Sequence, residues 1–138
     1  MPHITIEYSA NLARHHDVDE LVHVVHTAAL ATGVPTPGSL RTRAARRDHF
    51  EVADGSDDLA FIAIAVRVGP GRDVETKTSF IEALLDAGER HVVSESGPLA
   101  VAWSIELHEI DPAFRINRNH VRTRLADRQQ ETDGGTQN

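Results

Sequence analysis

Residues 3–8 read His-Ile-Thr-Ile-Glu-Tyr, and residues 59–68 read Leu-Ala-Phe-Ile-Ala-Ile-Ala-Val-Arg-Val. In the first stretch Ile4, Ile6 and Tyr8 alternate with shorter or polar residues, and this period of two predicts a strand that starts almost at the N-terminus. The second is a strongly apolar strand. Ile62 and Ile64 stand 58 positions after Ile4 and Ile6, and the same spacing relates Arg72 to Arg14, Val92 to Val34 and Ala102 to Ala44. Identity between the halves is thin, so the order of elements carries the argument.

That order is the same twice. From Asp17 the spacing becomes helical, with Val18, Leu21, Val22, Val25 and Ala29 on one stripe and Asp17 and Glu20 placed as a capping box; Gly33 and Pro35 end the helix. Leu40, Thr42 and Ala44 then alternate with Arg41, Arg43 and Ala45, which predicts a strand carrying both arginines on the face opposite Leu40. In the second half, Gly69-Pro70-Gly71 breaks the chain, a helix runs from Val74 to about Val93 with Phe80, Ile81, Leu84 and Leu85 on its stripe, and Leu99–Leu107 forms the last strand. A helical crossover makes strands parallel and right-handed. The expected fold is therefore α+β: a duplicated βαβ unit, about 2–53 and 59–110, giving a four-stranded sheet with two helices on one face. The superposition without a gap sets Arg41 against Leu99. Residues 1–124 form one domain on this reading, 108–123 are poor in core residues and could reach over a neighbour, and the polar stretch 125–138 is expected to be disordered.

Composition narrows the chemistry. The 138 residues contain no cysteine, which removes disulfides, thiolate nucleophiles and cysteine-ligated metals. A net charge of −7 argues against nucleic acid as partner. No run approaches the roughly 18 apolar residues of a membrane span, and the first residues lack a secretory signal, so no membrane partner and a cytoplasmic location are expected. Of the nine histidines, His23 and His26 share a helical face but have no acidic third ligand at an established spacing, and no metal site is expected. Asp54, Asp57 and Asp58 lack the glycine and closing glutamate of a calcium loop. There is no Gly-x-Ser-x-Gly and no phosphate-binding Gly-Lys-Ser/Thr.

What remains is an amine and arginines. Removal of Met1 ahead of a small second residue would leave Pro2 as a secondary amine at the mouth of a strand, a fixed general base if burial or nearby cations lower its pKa. The plain alternative is a proline at a strand start, where its missing N–H costs nothing. Arg41 and Arg43 could hold carboxylates by bidentate hydrogen bonds, but a solvated strand edge is the preferred reading of Arg43, Arg46 and Arg47. Arg41 departs from it because its counterpart Leu99 shows that the strand requires no arginine there. Arg72 precedes a helix, where backbone N–H groups favour anions.

Together these residues resemble the tautomerase superfamily and, within it, the 5-carboxymethyl-2-hydroxymuconate isomerase family. The likeness runs from residue 1 to about 124 and rests on the Met-Pro-His start, Ala31-Thr32-Gly33, Leu40-Arg41-Thr42-Arg43, Ala53-Asp54-Gly55, Asp58-Leu59-Ala60-Phe61, Gly69-Pro70-Gly71-Arg72, Glu109-Ile110-Asp111-Pro112 and Arg118-Asn119. The resemblance implies a homotrimer and a cofactor-free isomerase acting on a small carboxylate of the homoprotocatechuate degradation type. It implies Pro2 as catalytic base, and Arg41 and Arg72 on the substrate's carboxylates. Arg14 aligns less closely, and Phe50 stands where an aromatic could line the pocket. Two other readings keep the fold: a lyase in which protonated Pro2 is the acid and Glu7 or Glu106 activates water, and a non-catalytic trimeric scaffold.

Overall fold

The computed structural model describes residues 2–92 and 97–136. The four strands are β1 (His3–Ser9), β2 (Arg41–Arg47), β3 (Leu59–Val68) and β4 (Ala100–Glu109), and the helices are α1 (Val18–Ala31), α2 (Val74–His91) and α3 (His120–Thr136). Strand order is β2-β1-β3-β4, parallel within each half and antiparallel where β1 meets β3. This is the tautomerase fold expected from the sequence, with α1 and α2 on one face of the sheet.

The core follows the two periodicities. Ile4, Ile6 and Tyr8 from β1 and Ile62, Ile64 and Val66 from β3 meet Leu21, Val25 and Ala29 from α1 and Phe80 and Leu84 from α2, all buried. The Asp17 carboxylate caps α1 by accepting from Glu20 N at 3.1 Å, and Asp73 caps α2 by accepting from Thr76 N at 2.8 Å. That bond to Thr76 holds the exposed Asp73 carboxyl below its usual range. Gly88 admits the edge of Trp103 against α2; a Cβ there would lie 3.0 Å from the ring. Two buried polar side chains lock β1 to β3 at the end away from Pro2: Asn11 Nδ2 donates to Leu59 O at 2.7 Å, and Ser9 Oγ accepts from Phe61 N at 3.0 Å.

Two expectations are corrected. The halves do not superimpose without a gap. His3 pairs with Arg41, but its counterpart Phe61 pairs with Ala102, so the match for Arg41 is Ala102 and not Leu99. The longer crossover of the second half, whose helix has 18 residues against 14 in α1, takes up the difference. Ala102, like Leu99, is no arginine, so the second strand of the unit still does not require one at that position. The expected end of the second helix near Val93 lies outside the described residues.

The second correction concerns the tail. Residues from Leu125 continue α3 as helix to Thr136 where disorder was expected. Asn119 caps it, its Oδ1 accepting from Arg122 N at 3.1 Å while its Nδ2 donates to Gly38 O at 2.7 Å. Strong helix formers through Glu131 and the i, i+3 spacing of Arg124 with Asp127 and of Arg128 with Glu131 let it propagate without an apolar face, whereas Thr132-Asp133-Gly134-Gly135 are poor helix formers.

Candidate active site

Strand topology gathers one set of residues at a single end of the sheet. β1 and β2 are parallel and both begin there, and β3, antiparallel to β1, ends there. Register then makes one cross-strand row, Arg41–His3–Arg67–His108. Pro2, buried, heads β1, and its carbonyl accepts from Arg41 N at 3.3 Å. After β4 the chain turns back, with Ile110 N donating to Val68 O at 2.7 Å, and the segment through Arg118 closes over the row. Between them lies a cavity of about 370 Å³ lined by His3, Arg41, Arg67, Arg115 and Arg118, with Ile110, Phe114 and Ile116 as its apolar part.

The pocket is cationic, and His3 registers it. Its pKa is lowered from the ordinary 6.5, first by burial and then by Arg43, Arg41, Arg67 and Arg115. Arg43 Nη1 lies 3.2 Å from His3 Nδ1 and donates to it, which suits a neutral imidazole. Opposed like charges across strands are unfavourable, so this row is an arrangement suited to an anion.

The other residues singled out in the sequence lie as follows. Arg72 sits at the same end of the sheet, just past β3, but it does not line this cavity; its Nη2 donates to Val34 O at 3.3 Å. Arg14 and Phe50 are at the opposite end, around a separate cavity of about 170 Å³. Seven residues of β1 separate the two ends, about 20 Å at the usual rise. Arg46 pairs with Asp48 at 2.7 Å and Arg47 with Glu7 at 2.8 Å on the β2 edge. Glu106 faces His108 at 3.4 Å. Asp54 accepts from Ser56 and closes a turn. His26 is hydrogen-bonded to Thr42 Oγ1 at 2.8 Å, and His23 opens onto a shallow groove between α1 and α2. Among the described residues no three His, Asp or Glu side chains group to hold a metal, and no helix is long and apolar enough to cross a membrane.

His3, Arg67, Arg115 and Arg118 were not singled out as site residues from the sequence. Arg67 did leave a signal, as the one charge in the apolar run 59–68. Arg118 stood only within the Arg118-Asn119 match, and Arg115 left no signal beyond lying in a stretch unsuited to a core.

The sequence matches the 5-carboxymethyl-2-hydroxymuconate isomerase family over residues 2–125. The chain belongs to that family. It is thus an isomerase of the tautomerase superfamily, and the scaffold reading gives way. A 5-carboxymethyl-2-hydroxymuconate Delta-isomerase of Escherichia coli is 28% identical over 121 residues, covering 88% of this chain and 96% of the relative. A crystal structure of a 5-carboxymethyl-2-hydroxymuconate isomerase from Deinococcus radiodurans R1 superimposes with a TM-score of 0.80 at 29% identity, covering 90% of this chain and 93% of that one. The fold extends to the Q0 fused 4-OT wild type symmetric trimer, with a TM-score of 0.60 at 17% identity over 85% of this chain and 93% of that one.

Proposed function

We propose that this isomerase moves a proton along an unsaturated 2-hydroxy/2-oxo polycarboxylic acid of the 5-carboxymethyl-2-hydroxymuconate type, with the amine of Pro2 as general base. Removal of Met1, which lies outside the described residues, frees that amine. The dienol loses its hydroxyl proton and gains one at a distant carbon, giving the conjugated 2-oxo-3-ene acid, and Pro2 carries the proton. Arg41 and Arg72 hold the carboxylates and stabilise the developing enolate.

The observation that carries this reading is the position of Pro2 at the head of β1, hydrogen-bonded through its carbonyl to Arg41 and next to a cationic row. Cations lower an amine's pKa and leave more of it neutral near pH 7. Arg72 is further off, its Nη2 donating to Val34 O at 3.3 Å, and its part in this reading rests on the family likeness. Within the subunit, Glu7 is paired with Arg47 at 2.8 Å and Glu106 lies 3.4 Å from His108, which favours the isomerase over the lyase reading.

A homotrimer belongs to the same proposal. Thr5, Phe61, Ala63 and Ala65 on the helix-free face of the sheet are half-buried within the subunit, small or apolar enough to be covered by further copies. Arg14 and Phe50, at the wrong end of β1 to meet their own Pro2, come near a proline site only across such an interface.

The test follows the ultraviolet absorbance of a 2-hydroxymuconate-type dienol with untagged protein whose mass confirms loss of Met1. Pro2→Ala is expected to lower kcat by about 10²–10⁴-fold. The wild-type rate rises with pH through the amine's pKa, because the neutral form is the base. Equal, slow decay with both proteins overturns the reading, and a rate that falls as pH rises favours the lyase.

A further inference from the structure

The cationic cavity holds more positive charge than one carboxylate needs. Three arginines besides Arg41 border it, and no Asp or Glu is among its lining residues. The nearby carboxylates are engaged elsewhere, Glu109 with Lys77 at 2.6 Å and Asp111 with Ala113 N at 2.9 Å. Arg115 is the telling member: its Nη2 is buried and has no hydrogen-bond partner among the described residues. A buried cationic donor left without a partner is costly, commonly about 1–3 kcal/mol or more, so a fold that keeps one usually has a ligand for it. Arg67, in register with His3, faces the same space from β3.

We infer that Arg115 and Arg67, in the cavity that Arg41 also borders, form an additional carboxylate subsite, which selects the tricarboxylic acid over the dicarboxylate that lacks its carboxymethyl group. The assignment to substrate rests on the isomerase reading above. A planar guanidinium suits this role, since it binds a carboxylate through two parallel N–H bonds. Ile110, half-buried, forms an apolar border of the cavity beside that contact.

The experiment compares wild type, Arg115→Gln, Arg67→Gln and Arg115→Lys on 2-hydroxymuconate and on 5-carboxymethyl-2-hydroxymuconate, which differ by the carboxymethyl group that carries the third carboxylate. Each Gln variant is expected to lose about 10–100-fold in kcat/KM on the tricarboxylate, mainly through KM. The loss on the dicarboxylate is at least ten-fold smaller, and Arg115→Lys recovers part of the preference. Calorimetry with two unreactive probes, propane-1,2,3-tricarboxylate and glutarate, reads the subsite without turnover. Wild type binds the first about ten-fold tighter or better, and Arg115→Gln removes the difference. Turnover of both acids with the same ratio in every variant overturns the subsite and leaves the isomerase standing. Absence of turnover with the probe preference intact overturns the isomerase and leaves an anion subsite. Unfolded variants would show in the circular dichroism spectrum, and equal binding of the two probes by wild type alone is enough to sink the inference.

Discussion

His3 connects the charge of the pocket to the stability of the chain. Its neighbours are all cations: Arg41 and Arg43 from β2, Arg67 from β3 and Arg115 from the returning segment, with burial the larger cause of its lowered pKa. The sign follows from proton counting. Between the folded pKa and the ordinary 6.5 the unfolded chain binds more protons, so stability is full above about 6.5 and is lost as pH falls toward the folded value. Urea midpoints measured from pH 7.5 down to 5 are expected to fall less steeply for His3→Gln than for wild type. Parallel slopes would mean that His3 keeps its ordinary pKa. A bound polycarboxylate acts in the opposite sense and raises the His3 pKa, because it offsets the arginines.

At the scale of elements, α3 is the part where the structure departs most from the sequence reading, which expected disorder from Leu125. Its anchor is at its start, where Arg122, Leu125 and Ala126 border Thr36, Pro37 and Gly38. A Cβ on Gly38 would lie 3.2 Å from Arg122 Cα, so glycine is what lets the helix seat there. The later turns are polar on every side and rest on helix propensity and local charge spacing, which alone are marginal in water. Amide exchange should therefore show protection over residues 120–126 that declines toward 136, and Asn119→Ala, which removes both the cap and the bond to Gly38, should abolish it. Uniform protection along α3 that survives the substitution would show that something other than this anchor holds the helix.

For the molecule as a whole, the unsettled surfaces lie together. Phe114 and Ile116 are 91% and 85% exposed beside the cationic cavity, and the centre of the helix-free face of the sheet carries the half-buried Phe61, Ala63 and Ala65. Apolar surface of this kind on a single subunit marks a contact. Light scattering is expected to give a mass three times the 15.1 kDa chain, and the double variant Phe114→Asp/Ile116→Asp to shift it toward monomer with loss of isomerase activity. A wild-type monomer with full activity would exclude shared sites.

The residues of the chain by themselves determined the elements and their faces. Alternation at Ile4–Tyr8 and Leu59–Val68, the helical stripes, the Asp17 cap, and breakers at Gly33 and Gly69–Gly71 are local, so each is legible within a few residues. Pro2, Arg41 and Arg72 stood out for the same reason, as groups whose chemistry did not suit their local setting. The antiparallel join of β1 to β3, the three-residue slip that sets Arg41 against Ala102, and the gathering of Arg67 and Arg115 around His3 were decided only in three dimensions. They depend on pairings between residues forty to a hundred positions apart, whose register is chosen by packing both helices on one sheet. No periodicity within either partner records that choice.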